Sequence, residues 1–107
     1  MASKFSLVLV TCPAKDSRKV ARAVVRSKAA ACVNIVPGLH SIFRWKGKIE
    51  EADECLLLMK TRTSLVGKLE QVVKKSHPYD VPEVISIEIA RGLRRYLDWI
   101  VESTAEN

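Results

Sequence analysis

Two short stretches, Leu7-Val8-Leu9-Val10 and Cys55-Leu56-Leu57-Leu58-Met59, are apolar at every position, and no other feature constrains the fold as much. Runs this short, bounded by polar or turn-forming residues, read as buried strands. Successive strand side chains point to opposite faces of a sheet, so a run without alternation needs cover on both faces. Each Leu or Met left in water forgoes about 1.5–3 kcal/mol. The chain must therefore build two layers of cover on one small sheet.

The first strand is expected over 5–11, stopped by Cys12-Pro13. Asp16 or Ser17 can then cap a helix running to 31, with Val20, Ala23, Val24 and Ala31 on its buried face. A second strand occupies 32–36, is interrupted by a bulge at Pro37-Gly38 and resumes over 39–45. Lys46-Gly47 makes a tight turn, Gly supplying the positive φ, and the return strand covers 48–61. A second helix over 64–76 buries Leu65, Leu69, Val72 and Val73, and His77-Pro78 ends it because the residue before a proline is pushed out of the helical region. A fourth strand over 83–89 sets Ile85, Ile87 and Ile89 on one face, and a last helix over 93–103 groups Leu93, Tyr96, Leu97 and Ile100.

This order is βαββαβ plus one helix, expected as a single domain over 1–107. Right-handed crossovers and a central hairpin turn it into a ferredoxin-like α+β sandwich with antiparallel sheet order 4-1-3-2. The two continuous apolar runs then fall in the central strands, and Pro82 falls beside an edge strand that tolerates it. The two crossover helices cover one face only, and the short last helix can cover part of the other. The long hairpin carries Phe43 and Trp45 near its tip, aromatic anchors suited to a neighbouring subunit. A homo-oligomer closed through its sheets is the expected remedy, with Trp45 as an interface anchor.

Composition narrows the function. Cys12, Cys32 and Cys55 are an odd count with no CxxC spacing, which argues for reduced thiols rather than a disulfide framework. No run approaches the roughly 18 residues of a membrane span, and residues 1–5 lack a signal-peptide pattern, so a cytoplasmic protein with no membrane partner is expected. The net charge of +6 permits an anionic partner, and Arg18, Arg22 and Arg26 recur at helical spacing on one face. RNA binding on such a sheet needs stacking aromatics on the central strands; these carry Leu, Val and Met, which argues against nucleic acid. There is no Gly-rich phosphate loop, GxSxG or HExxH motif, and no catalytic activity is expected.

Among candidate ligands for a metal, Cys12 and His77 lead, a thiolate and an imidazole being donors for copper or zinc; Cys32, Asp80 and Glu83 stand behind them. The segment His77-Pro78-Tyr79-Asp80-Val81-Pro82-Glu83 is the most site-like stretch, since two prolines hold polar groups in an extended path with little ordering entropy left to lose.

Five motifs occur in order: Ala30-Ala31-Cys32-Val33-Asn34-Ile35, Trp45-Lys46-Gly47-Lys48-Ile49-Glu50, Lys60-Thr61, His77-Pro78-Tyr79-Asp80-Val81-Pro82-Glu83 and Tyr96-Leu97-Asp98-Trp99. With them the chain resembles the CutA family of divalent-cation tolerance proteins from Leu7 to Trp99. The chain departs from that family's common pattern at Ala29, Ser76 and Asp80. The resemblance implies a homotrimer of ferredoxin-like subunits, similar to PII-type signalling proteins, that responds to copper or another divalent metal. It also implies that a metal ion or small ligand sits at subunit clefts among Cys32, Asn34, Trp45, Lys60, Tyr79, Asp80 and Glu83. The competing expectation is a structural homotrimeric interaction module with no specific metal site.

Overall fold

The structure, a computed structural model, describes residues 3–106. It contains strands β1 (Phe5–Cys12), β2 (Cys32–Trp45), β3 (Lys48–Arg62) and β4 (Val84–Glu88) and helices α1 (Ser17–Arg26), α2 (Val66–Ser76) and α3 (Arg94–Thr104). The strands form one antiparallel sheet in the order β2-β3-β1-β4. This is the expected α+β arrangement, with the two apolar strands in the centre. Among the described residues no helix is long and apolar enough to cross a membrane.

One face of the sheet carries the core. Val8, Val10 and Cys12 of β1 and Leu57 and Met59 of β3 meet Val20 and Val24 of α1 and Leu69 and Val73 of α2, all without solvent exposure. Three sequence expectations need correction here. Helix α1 ends at Arg26, not at residue 31, because Lys28 adopts the left-handed conformation (φ 63°). The Lys28 N–H donates to the Val25 carbonyl and the Ala29 N–H to the Val24 carbonyl, the paired bonds of a Schellman ending, with lysine where glycine is usual. Ala29 and Ala30 are thereby buried outside the helix. Neither Asp16 nor Ser17 caps α1: a 3-10 turn, Ala14–Asp16, precedes it, and the Ser17 hydroxyl donates back to the Ala14 carbonyl (2.8 Å). A second such turn, Thr63–Leu65, delays α2 to Val66.

The hairpin follows expectation. The register shifts between Val36 and Leu39, Gly38 has φ 79°, and Lys46 and Gly47 have φ of 49° and 79°. Positive φ at both turn residues matches the twist of the flanking strands. Because β1 pairs β3 only from Cys55 onward, the earlier part of β3 pairs β2 alone. It projects as a two-stranded ribbon, and the molecule measures 44 × 28 × 23 Å.

Helix α3 lies on the second face. There Arg62, whose neighbour Thr61 points into the core, donates from Nε to Thr104 Oγ1 (2.9 Å) and from Nη2 to the Thr104 carbonyl (3.0 Å). Ile100 and Thr104 are fully buried beneath it. Leu93, expected in the same stripe, is instead 75 % exposed, since it is the extended residue before the helix and falls off its buried side. The roof is partial: Ile85 and Ile87 of β4 remain 51 % and 48 % exposed and Val36 of β2 42 %.

Thr61 is fully buried and its hydroxyl donates to the Ala29 carbonyl (2.6 Å), tying the α1 ending to β3. Thr61→Val keeps the shape but strands that carbonyl, so denaturant unfolding should show a loss of about 1–3 kcal/mol. Unchanged stability would show that the bond contributes nothing net.

Candidate functional site

The densest group of chemistry-bearing side chains sits where β1 ends. Cys12 faces Cys55 directly across the β1–β3 ladder, and both are buried free thiols. His77, the extended residue that terminates α2, folds over this end: its Nε2 donates to the Thr11 carbonyl (2.7 Å), and its Nδ1 accepts the Tyr79 backbone N–H (3.1 Å). The Tyr79 ring stacks obliquely on the imidazole at 4.8 Å. The Tyr79 hydroxyl donates to Glu54 Oε2 (2.9 Å), a carboxylate only 7 % exposed. Asp16 Oδ2 is buried with no hydrogen-bond partner.

These neighbours act on one another electrostatically. Burial, and then Cys55, Asp16 and Glu54 beside it, push the Cys12 thiol up to about 11. Burial, then the hydrogen bond and the charge of Glu54, push Tyr79 up to about 12. Both groups therefore stay protonated at neutral pH.

That geometry tests the proposed metal pair. Cys12 and His77 do come to the same end of the sheet, but they are not an open ligand pair. Both imidazole nitrogens are engaged with backbone groups, and the Cys12 thiol is buried in its protonated form, whereas metal coordination needs a free ring nitrogen and a thiolate. Among the described residues no three His, Cys, Asp or Glu side chains are placed to hold one ion together. The residues present do not fit a metal held by Cys12 and His77 as they stand.

The remaining candidates separate into distinct places. Cys32, Asn34 and Lys60 gather under α3: Lys60 Nζ lies 3.8 Å from the half-buried Cys32 Sγ, and Sγ lies 3.9 Å from Asn34 Oδ1. Tyr96 packs beside Cys32 and stacks on Trp99 at 5.5 Å; burial and this thiol raise its pKa. Trp45 is at the hairpin tip, 44 % exposed, with the Lys46 ammonium 5.9 Å above its ring. Tyr79 turns inward to Glu54, Asp80 borders a cavity of about 370 Å³ with Glu70 and Lys74 of α2, and Glu83 is exposed just before β4. Lys60 and Cys55 are five residues apart along β3, roughly 17 Å, so one protomer does not unite these side chains in a single cleft.

One cluster was not singled out from the sequence. His40 of β2 lies between two carboxylates of β3, Nδ1 at 2.7 Å from Asp53 Oδ1 and Nε2 at 2.6 Å from Glu51 Oε1. Two such contacts suit a doubly protonated ring, and the Glu51 and then the Asp53 hydrogen bonds raise the His40 pKa above its ordinary value. The clamp staples the ribbon beyond the bulge, where a two-stranded unit has little stability of its own.

Two measurements follow. Native alkylation with iodoacetamide at neutral pH should label Cys32 first and leave Cys12 and Cys55 until the protein unfolds; early labelling of Cys12 by peptide mapping would overturn the burial argument. Because the folded His40 pKa is raised, its contribution is complete below the ordinary value of 6.5 and is lost as pH rises through the folded value. NMR titration of the ring should place its midpoint above that of a Glu51→Gln variant, and coincident midpoints would reject the clamp.

Comparison with known proteins bears on this arrangement. Residues 6–103 match the family model described as CutA1 divalent ion tolerance protein. The "Divalent-cation tolerance protein CutA" of Thermus thermophilus is 52% identical over 99 residues, covering 92% of this chain and 96% of that protein. The mouse "Protein CutA" is 47% identical over 100 residues, and there the match spans 92% of this chain but 56% of the longer relative. Among solved structures, CutA1 from Oryza sativa superposes with a TM-score of 0.92 at 43% identity, covering 99% of this chain and 98% of that one. The divalent cation tolerance protein of Thermus thermophilus superposes with a TM-score of 0.91 at 50% identity, over 94% and 99% of the two chains. Sequence and fold agree along nearly the whole length, and the chain belongs to the CutA1 family of divalent ion tolerance proteins.

Proposed function

We propose that the protein works in divalent-cation tolerance as a homotrimer, taking a metal ion or small ligand in the clefts between subunits and catalysing no reaction. The observation that carries this reading is the incomplete roof on the second sheet face, where Ile85, Ile87 and Val36 stay about half exposed. With Ile42, Phe43, Trp45 and Ile49 on the projecting hairpin also exposed, a lone protomer leaves several large apolar groups in water. Each is worth about 1.5–3 kcal/mol when covered. Copies of the chain supply that cover, and the candidate residues that one protomer keeps apart meet across subunit borders. Copper is the metal that the thiol-bearing candidates suit best.

A second reading has one observation in its favour. The closed hydrogen bonding of His77 suits a trimer that only presents partner surfaces and holds no metal.

Light scattering at micromolar concentration should give three times the 12.0 kDa of one chain; a single-chain mass would end the trimer. Titration with copper(II) and with zinc should then show saturable, stoichiometric binding that disappears in an Ile85→Asp/Ile87→Asp variant together with the oligomer. Binding that survives in the monomeric variant would place the metal within one protomer. No saturable binding to the intact oligomer would leave the partner-surface reading.

A further inference from the structure

We propose that Cys12 and Cys55 form a reversible oxidative cross-link site, a dithiol that hydrogen peroxide converts to a disulfide inside one chain. The two residues stand directly opposite each other at the last rung of the β1–β3 ladder, and both thiols are free. Opposed residues of antiparallel strands share a face, with Cα atoms about 4.5 or 5.5 Å apart, and a disulfide spans roughly 4.4–6.8 Å. Bridging therefore asks for side-chain rotation and no backbone movement. Cys32 cannot take either place, because it pairs with Lys60, five residues along β3 from Cys55. The pair lies in the two central strands, with Cys12 in the core layer. It belongs to neither free sheet edge nor the half-roofed second face, so one chain completes it.

Access and chemistry fit a small oxidant. The cover over the pair is the irregular segment that starts at His77, held there by the two backbone hydrogen bonds of the ring. Such a segment opens more readily than the sheet beneath it, and hydrogen peroxide needs less of an opening than an alkylating reagent. Burial, then Cys55, Asp16 and Glu54, hold the Cys12 thiol up at about 11. Cys55, 3 % exposed against 0 % for Cys12, is therefore the sulfur that attacks first. It takes one peroxide oxygen, the O–O bond breaks and water leaves, giving a sulfenic acid. The Cys12 sulfur then attacks that of Cys55, the S–O bond breaks, and a second water carries off the Cys12 proton. Two thiols lose two electrons and one peroxide gains them. Reduction must expel one sulfur as a thiolate, which burial and the acidic neighbours oppose, so the bridge reopens slowly. Its consequence is mechanical. Cys55 is where β3 leaves β1 to become the projecting ribbon, so the bridge fixes the root of the hairpin.

The test uses the full chain carrying Cys32→Ser, which removes the half-buried thiol and leaves the pair intact. After hydrogen peroxide the intact mass should fall by two hydrogens, and non-reducing peptide mapping should join the Cys12 and Cys55 peptides within one chain. Dithiothreitol should restore the mass. The bridge closes a loop that holds α1 and β2, so the thermal midpoint of the oxidised protein should rise by roughly 10 °C. Adding Cys55→Ser should abolish both the mass loss and the thermal shift, each form being compared with its own untreated sample so that a change in basal stability does not matter. Two free thiols after peroxide, or a bridge between chains, would overturn the site. A bridge that left the midpoint unmoved would overturn the locking of the hairpin. None of these results depends on whether light scattering finds a trimer, so the cross-link and the proposed function fail separately.

Discussion

Apolar side chains on both faces of β1 and β3 are the constraint from which the rest of this fold follows. Val8, Val10, Leu57 and Met59 fill the layer under α1 and α2, while Leu7, Leu9, Leu56 and Leu58 occupy alternate positions and face the other way. A ferredoxin-like protomer has two crossover helices, and both go to the first layer. The second layer has only α3, whose anchorage through Arg62 and Thr104 confines it to one end of the sheet. The β4 side is left open because no further segment of the described chain reaches it. The same surplus of apolar surface thus makes the sheet's centre firm and its second face sociable.

Polar groups buried at the β1 terminus show how a candidate catalytic or metal constellation becomes a structural one. A histidine beside a cysteine invites a functional reading, yet the Thr11 carbonyl near the end of its strand needs a donor and the Tyr79 N–H, in the extended segment after α2, needs an acceptor. The neutral imidazole supplies both at once. Glu54 is satisfied in turn by Tyr79. Asp16 Oδ2, near the Cys12 thiol, is a buried acceptor left without a partner.

Much of this was legible because local and global signals agree. The phase of the hairpin followed from Lys46-Gly47: once Trp45 faces Lys48, His40 must face Asp53, and the His40 clamp was in principle readable from that register. The bulge at Pro37-Gly38 was visible from residues that admit only that role. The end of α1 was not, because lysine carries no signal for the left-handed conformation; it takes that shape here because the following Ala29 and Ala30 are drawn into the core. The candidate site was harder still. Motif order placed Cys32, Asn34, Lys60, Tyr79 and Asp80 in one list, but five residues of extended strand separate its ends in space, and sequence patterns do not measure that.

Charge is segregated by sign between the hairpin and the first helix. Acidic residues concentrate between Glu50 and Glu54 along the β3 strand of the hairpin, where His40 and Tyr79 already hold three of them. Basic residues line α1, and among the described residues they form no ion pair with a carboxylate. Screening at physiological salt confines each field to about 8 Å, whereas the molecule is 44 Å long.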